Sequence, residues 1–147
     1  MSETLETKRN LVVVHYKDGK LLRGYTLDFT PLAGVFHLTS EMEEDKGKVY
    51  DVVVADLKAV FFVRTLYGST EYKEKKRFEE VDTSRQRGLK IKIVFKDGEI
   101  VRGLSLGYSK GRKGFFLIPV DPKSNNERIW VVMDAIKEIE IGTAAIS

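Results

Sequence analysis

The octapeptide Lys17-Asp18-Gly19-Lys20-Leu21-Leu22-Arg23-Gly24 returns 79 residues later as Lys96-Asp97-Gly98-Glu99-Ile100-Val101-Arg102-Gly103. A chain that repeats a turn, an apolar pair, an arginine and a glycine in one order is a tandem duplication of a small unit. The turn also says what kind of unit it is. Asp-Gly between alternating apolar runs predicts a β-hairpin with a two-residue type I′ turn, both of whose central residues need positive φ. On the strand before the turn, Val12, Val14 and Tyr16 share one face, and Val13, His15 and Lys17 the other. Ile91, Ile93 and Phe95 take the places of the first trio in the second copy.

The duplication continues past the hairpin. Returning strands are expected over residues 20–29 and 100–108, followed by strands over 35–39 and 115–118, 48–55 and 129–133, and 57–64 and 136–141. Five short strands in about 55–60 residues is the pattern of small antiparallel barrels. The predicted fold is therefore all-β: two tandem five-stranded antiparallel barrels, SH3/Sm-like or PilZ-like. Neither buries much core alone, so the two are expected to pack together. A flexible N-terminus covers 1–9, the first repeat 10–66 and the second 89–147. A charged linker, with a short helix weighed for 71–80, covers 67–88.

Two positions break the regular pattern. Gly24 and Gly103 sit in mid-strand behind an arginine. Strict alternation would put Arg23 on the same, buried face as Leu21 and Tyr25, so a glycine bulge is expected there. On the fifth strands, Val60 and Phe62 match Ile139 and Ile141 as inward residues, but outward Phe61 is matched by Glu140. Phe61 and Val63 thus mark an apolar interface face, to be covered by the linker, the other copy or a second chain.

Candidate chemistry is sparse. Cysteine is absent, which removes disulfides, thiolate metal sites and cysteine nucleophiles together. No apolar run approaches the roughly 18–20 residues of a membrane helix, and residues 1–9 have no apolar signal core. His15 and His37 have no serine or carboxylate at a motif spacing, and His15 is expected on a solvent face. No P-loop, nucleophile elbow or metal-ligand spacing occurs. No catalytic residue, metal or cofactor is assigned.

The net charge of +3 is unevenly spread. Residues 1–66 are nearly balanced, whereas 85–128 carry roughly +7. Ser109-Lys110-Gly111-Arg112-Lys113-Gly114 concentrates that charge. Glycines let backbone N–H groups converge on an anion, and three cations surround them. Ser109, Lys110, Arg112 and Lys113, with Arg102, are the candidate anion- or nucleic-acid-binding residues. The first copy has uncharged Thr30-Pro31-Leu32-Ala33-Gly34 in that place. Tyr25, Phe29, Tyr108 and Phe115 would be the rings of a base-stacking surface.

Three segments carry a family resemblance: 56–64, the repeated Lys-Asp-Gly hairpin, and 114–126 (Gly-Phe-Phe-Leu-Ile-Pro-Val-Asp-Pro-Lys-Ser-Asn-Asn). They resemble an uncharacterised bacterial domain family of unknown function over most of residues 10–142, which implies a β fold and no established activity. The strand order and Asp-Gly hairpin are also similar to Sm-like proteins. Thr30, Gly34, Ser109 and Lys113 stand where that family has its RNA-binding Asp and Asn. PilZ domains, which bind cyclic di-GMP, are similar around Arg85-Gln86-Arg87 and 28–34, with altered spacing.

These readings converge on a non-catalytic regulatory or adaptor module in a bacterial cytoplasm, acting through protein–protein contacts. A protein partner or self-association is expected, with the acidic loop 41–45 suited to meet the basic one. An anionic nucleotide at the second repeat is a further expected ligand. The alternative is an Sm-like nucleic-acid-binding protein that uses the basic second repeat.

Overall fold

The computed structural model describes residues 9–30, 33–68, 71–82 and 87–146. Most of the N-terminal segment, Pro31 and Leu32 of the first-copy turn, and linker residues 69–70 and 83–86 (with Arg85 and Gln86) lie outside the described residues. Ten strands follow in order: β1 Asn10–Tyr16, β2 Leu21–Thr26, β3 Val35–Ser40, β4 Val49–Val53, β5 Leu57–Val63, β6 Leu89–Phe95, β7 Ile100–Ser105, β8 Gly114–Pro119, β9 Asn126–Val132 and β10 Ile136–Ile141. Among the described residues there is no α-helix. The described part of the linker holds a 3₁₀ turn, Phe78–Glu80, because its few apolar residues make no helical stripe.

All ten strands belong to one antiparallel sheet, ordered β10-β6-β7-β8-β9-β5-β1-β2-β3-β4. Each repeat contributes five neighbours in the same internal order, fifth strand first and fourth strand last. The sheet is continuous and not closed into two barrels, because β9 of the second repeat pairs with β5 of the first. Ala59 stands opposite Val131, Val60 opposite Trp130 and Phe61 opposite Ile129.

That seam divides two cores. Val60 and Phe62 of β5 join Trp130 and Val132 of β9 in the first-repeat core, with Val12, Val14, Phe36, Leu38 and Val52. Ala59, Phe61 and Val63 point the other way, joining Ile129 and Val131 among Ile91, Ile93, Phe95, Phe115 and Leu117. A strand with a core on both faces needs apolar residues at successive positions. β5 accordingly is buried along its whole length. Each core collects side chains from all five strands of its own repeat, so each half of the sheet curls around its core.

The hairpin and the mid-strand glycine differ from expectation. Gly19 and Gly98 have φ of 95° and 94°, but no non-glycine residue has positive φ among the described residues, which excludes the type I′ turn. Gly19 N–H donates to Tyr16 carbonyl at 3.0 Å and Tyr16 N–H to Lys20 carbonyl at 2.9 Å, a three-residue loop closed by a left-handed glycine. Phe95, Gly98 and Glu99 repeat this geometry.

No bulge occurs at Gly24, where the β1–β2 register runs unbroken from Asn10↔Thr26 to His15↔Leu21. Leu22, Gly24 and Thr26 face inward, and Arg23 lies on the half-exposed side. A Cβ on Gly24 would stand 2.0 Å from the Thr39 carbonyl oxygen, and one on Gly103 2.3 Å from that of Ile118. The conserved order of the repeat therefore keeps a glycine where the third strand crosses closely over the second.

Candidate functional site

The loops after β2 and β7 stand at the same end of their repeats and, with the turns after β4 and β9, enclose an open groove of about 1700 Å³. Its apolar lining includes Val53, Leu106, Phe116, Ile118 and Trp130. Leu106, at 78%, is the most exposed large hydrophobic side chain among the described residues, and Ile118 beside it in the groove lining is 48% exposed. Arg112 and Lys113 form one rim. The groove's one carboxylate, Asp134, accepts a 2.6 Å hydrogen bond from Lys17 Nζ. The uncommitted charge in the groove is thus positive. Small-molecule sites are typically about 300–1,000 Å³. A larger, open and mostly apolar groove suits a segment of polypeptide better.

The basic loop is a turn, with Arg112 N–H donating to the Ser109 carbonyl at 3.3 Å and Gly111 at φ 91°. Lys113 carbonyl accepts from Met133 N–H at 2.9 Å, as Gly34 carbonyl does from Val54 at the equivalent place in the first repeat. Ser109, Lys110, Arg112 and Lys113 are all exposed and come together. Arg102 does not join them. It lines a small cavity of about 90 Å³ with Glu74, Lys75 and Glu99.

Phe61 and Val63 are 7% and 5% exposed, inside the second-repeat core. Their covering element is the other repeat of the same chain. Among the rings weighed for base stacking, Phe115 is buried, Phe29 packs edge-on to Phe36 at 5.1 Å and to Phe62 at 5.3 Å, and Tyr108 packs edge-on to Phe115 at 5.1 Å. Tyr25 lies under the Arg9 guanidinium at 3.7 Å.

Charged side chains fasten the two repeats on either side of the seam. Lys58, almost wholly buried on β5, donates to Asp97 Oδ2 at 2.7 Å and to Glu99, both on the second-repeat hairpin, with its ammonium 4.6 Å from the Phe95 ring. Burial pulls Lys58 down, but its hydrogen bonds to the Asp97 and Glu99 carboxylates more than offset that, so its pKa lies above the ordinary lysine value. Lys17, on the first-repeat hairpin, reaches Asp134 of the second repeat. The repeated Lys-Asp-Gly segment thus serves as a clasp in both copies, with different residues of it in contact.

His15 belongs to this clasp and not to a solvent face. Its ring stacks on Phe61 with centroids 4.2 Å apart. Burial, with Lys58 adding to it, lowers its pKa to about 4. His37 is the opposite case. It is exposed, with Nδ1 2.6 Å from Asp28 Oδ2 and Nε2 3.3 Å from Asp51 Oδ1. The hydrogen bond to Asp28 raises its pKa. The Asp51 contact could be read from the hairpin, since His37 and Asp51 face each other across β3 and β4. Asp28 lies in a loop whose path the sequence pattern does not fix. The pair lines neither cavity, and among the described residues no hydroxyl nucleophile is placed against the imidazole. Among the described residues no group of His, Asp or Glu could hold a metal ion.

Sequence reasoning missed one further assembly, where the linker is tied to the turn between β8 and β9. Asp121 accepts from Tyr72 hydroxyl at 2.5 Å, Lys75 N–H at 2.9 Å and Lys123 N–H at 2.9 Å. Arg64 donates to the carbonyls of Ser124 and Pro122, and Asn125 exchanges hydrogen bonds with Thr65. Phe78 then buries against Leu104, Val120 and Ala145. The segment 119–126 is therefore a receptor for the chain's own linker.

Taken together, these features define a tandem β-repeat protein with a shared wall and an apolar, basic-rimmed groove between its halves. The chain belongs to the Family of unknown function (DUF6982), whose model matches residues 8–142. No curated protein and no solved structure matches it. No helix among the described residues is long and apolar enough to cross a membrane.

Proposed function

We propose that this protein is a non-catalytic regulatory or adaptor module that binds an extended, acidic segment of a partner protein in the groove between its repeats. The observation that carries the reading is the company Leu106 and Ile118 keep. Large aliphatic side chains are left exposed over an aromatic floor, beside two cations that no acid in the groove neutralises. Apolar contacts would supply affinity, and Arg112, Lys113 and adjoining Lys110 would select for carboxylates or a phosphate. Each curled half resembles part of a small SH3/Sm- or PilZ-like barrel, a scaffold suited to binding, and a bacterial cytoplasmic setting completes the proposal.

The test uses two fluorescent peptides, one alternating leucine with aspartate and one alternating leucine with lysine, titrated against the full chain. The acidic peptide binds, the basic one does not, and both Leu106→Asp and Arg112→Glu abolish binding. Equal binding of the two peptides, or an unchanged Leu106→Asp variant, overturns the reading. The roughly +7 charge of residues 85–128 favours a second reading, nucleic-acid binding. A single-stranded RNA oligonucleotide whose affinity falls steeply with salt, and with Arg112→Ala and Lys113→Ala, would establish that one instead.

A further inference from the structure

The seam inside the chain is a template for a second strand-docking place that the chain leaves open. Residues 79 apart are equivalent in the two repeats, so β4 corresponds to residues 128–132 of β9, and β10 to β5. In the seam β9 receives β5, but among the described residues β4 lies at the end of the sheet with β3 as its one neighbour.

The backbone of β4 is oriented to receive a strand. Lys48 carbonyl and Val54 N–H are both bonded on the β3 side, to Ser40 and Gly34, and antiparallel alternation assigns Tyr50 and Val52 to that side as well. His37 N–H, opposite Asp51, is bonded at 2.9 Å to the Asp28 side chain instead of to β4. The N–H and C=O groups of Val49, Asp51 and Val53 therefore point to the open edge. Val49 and Val53 are 57% and 41% exposed, and Val35 beside Val53 is 46% exposed. An unpaired edge flanked by exposed valines invites a strand.

A second copy of the chain is the obvious candidate, and its own free edge, β10, excludes it. Laid on β4 in the register of the seam, β10 would bring Glu138 opposite Val52 and Glu140 opposite Tyr50. In the seam these positions hold Ala59 and Phe61, which point into an apolar core. Two carboxylates would have to enter the equivalent position. Glu140 would also approach Asp45, which already accepts a hydrogen bond from Tyr50 hydroxyl. Glu138 and Glu140 thus act as guards against end-to-end extension of the sheet.

We propose that the β4 edge is a docking site for an antiparallel strand of another protein, and that Glu138 and Glu140 keep the chain's own copies out of it. The strand has a small apolar residue opposite Val52 and a large apolar or aromatic one opposite Tyr50, as β5 has opposite β9. Between them, opposite Asp51, it carries a lysine or arginine. Asp28 and Asp51 surround a single His37 there, leaving at least one negative charge unbalanced. This site adjoins the groove at Val53 but does not depend on it.

Two measurements on the full chain test the proposal. In sedimentation velocity across a concentration series, the wild type stays monomeric and the E138A/E140F double variant associates progressively with concentration. Adding Asp51→Pro, which removes an outward N–H without touching the β3 ladder, returns it to monomer. In fluorescence anisotropy, a labelled peptide of residues 57–64 carrying Val60→Lys binds the wild type and binds Asp51→Pro at least about tenfold more weakly. A double variant with a native circular dichroism spectrum that stays monomeric overturns the account of the glutamates, as does a wild type that associates. Association or peptide binding that ignores Asp51→Pro overturns the assignment to β4, and a peptide that does not bind the wild type overturns the docking site.

Discussion

β5 and β10 occupy the same place in their repeats, yet one is a wall between two cores and the other a bare edge. Phe61 of β5 is matched by Glu140 of β10, Ala59 by Glu138 and Val63 by Gly142, while Val60 and Phe62 are matched by apolar Ile139 and Ile141. The face toward each repeat's own core is kept; only the face toward the neighbour has changed. In a duplicated β protein, the positions where copies differ in hydrophobicity therefore record what lies next door. The sharpest way to break this comparison is to exchange the two characters. Phe61→Glu should destabilise the chain by about 4–6 kcal/mol in urea unfolding, from the lost aromatic volume and a carboxylate forced into the second core. Glu140→Ala should shift it by no more than about 0.5 kcal/mol, since its 3.5 Å pair with Lys92 is partly exposed. Similar losses at both positions would refute the distinction.

The two histidines sharpen the same contrast between covered and open parts of the sheet. His15, inside the seam, has its pKa lowered to about 4 from an ordinary value of 6.5. Below 6.5 the unfolded chain takes up the proton first, so stability is complete above about pH 6.5 and falls as the pH drops toward 4. The loss is on the order of 3 kcal/mol at most. His37, at the open edge, has its pKa raised. Its contribution is complete below about 6.5 and is lost as the pH rises through its folded value. Urea midpoints measured from pH 4 to 9 should show His15→Gln removing part of the acid limb and His37→Gln removing part of the alkaline decline. A His15→Gln profile that follows the wild type below pH 6 would place that ring outside the seam.

The sequence carries these elements unequally. All ten strands were legible because period-two alternation and Asp-Gly turns are local properties, and the divergence of Phe61 from Glu140 already marked an interface. The single sheet was not legible, since β9 pairing with β5 joins segments some 70 residues apart, and only the double-faced apolar runs hint at it. Gly24 reads as a bulge because a bulge and a close strand crossing leave the same sign, one glycine in a strand. In the candidate site, the basic loop was legible as charge, but the groove was not. Leu106 and Ile118 read as ordinary strand residues until the fold leaves them uncovered. Charge alone groups Arg102 with that loop, and the sheet directs it elsewhere.

Lys58 and Lys137 give the smallest expected difference and the finest test of the clasp. The two lysines are equivalent, but Lys58 is almost wholly buried against Asp97 and Glu99 of the second hairpin, whereas Lys137 stands on the exposed edge. A buried ion pair is costly to desolvate, so Lys58→Met, which fills the volume over Phe95 without the charge, should lose less than a buried pair usually would. The two carboxylates are about half exposed and can turn to water once the ammonium is gone. The balance is a loss of about 1–2 kcal/mol for Lys58→Met and no measurable change for Lys137→Met, read from urea midpoints at low and high salt. Salt should weaken the wild type slightly and leave Lys58→Met nearly unchanged, because the pair it would screen is no longer there. If Lys58→Met were as stable as the wild type at low salt, the hairpin clasp would add nothing to the apolar seam. Phe61 and its neighbours alone would then hold the repeats together.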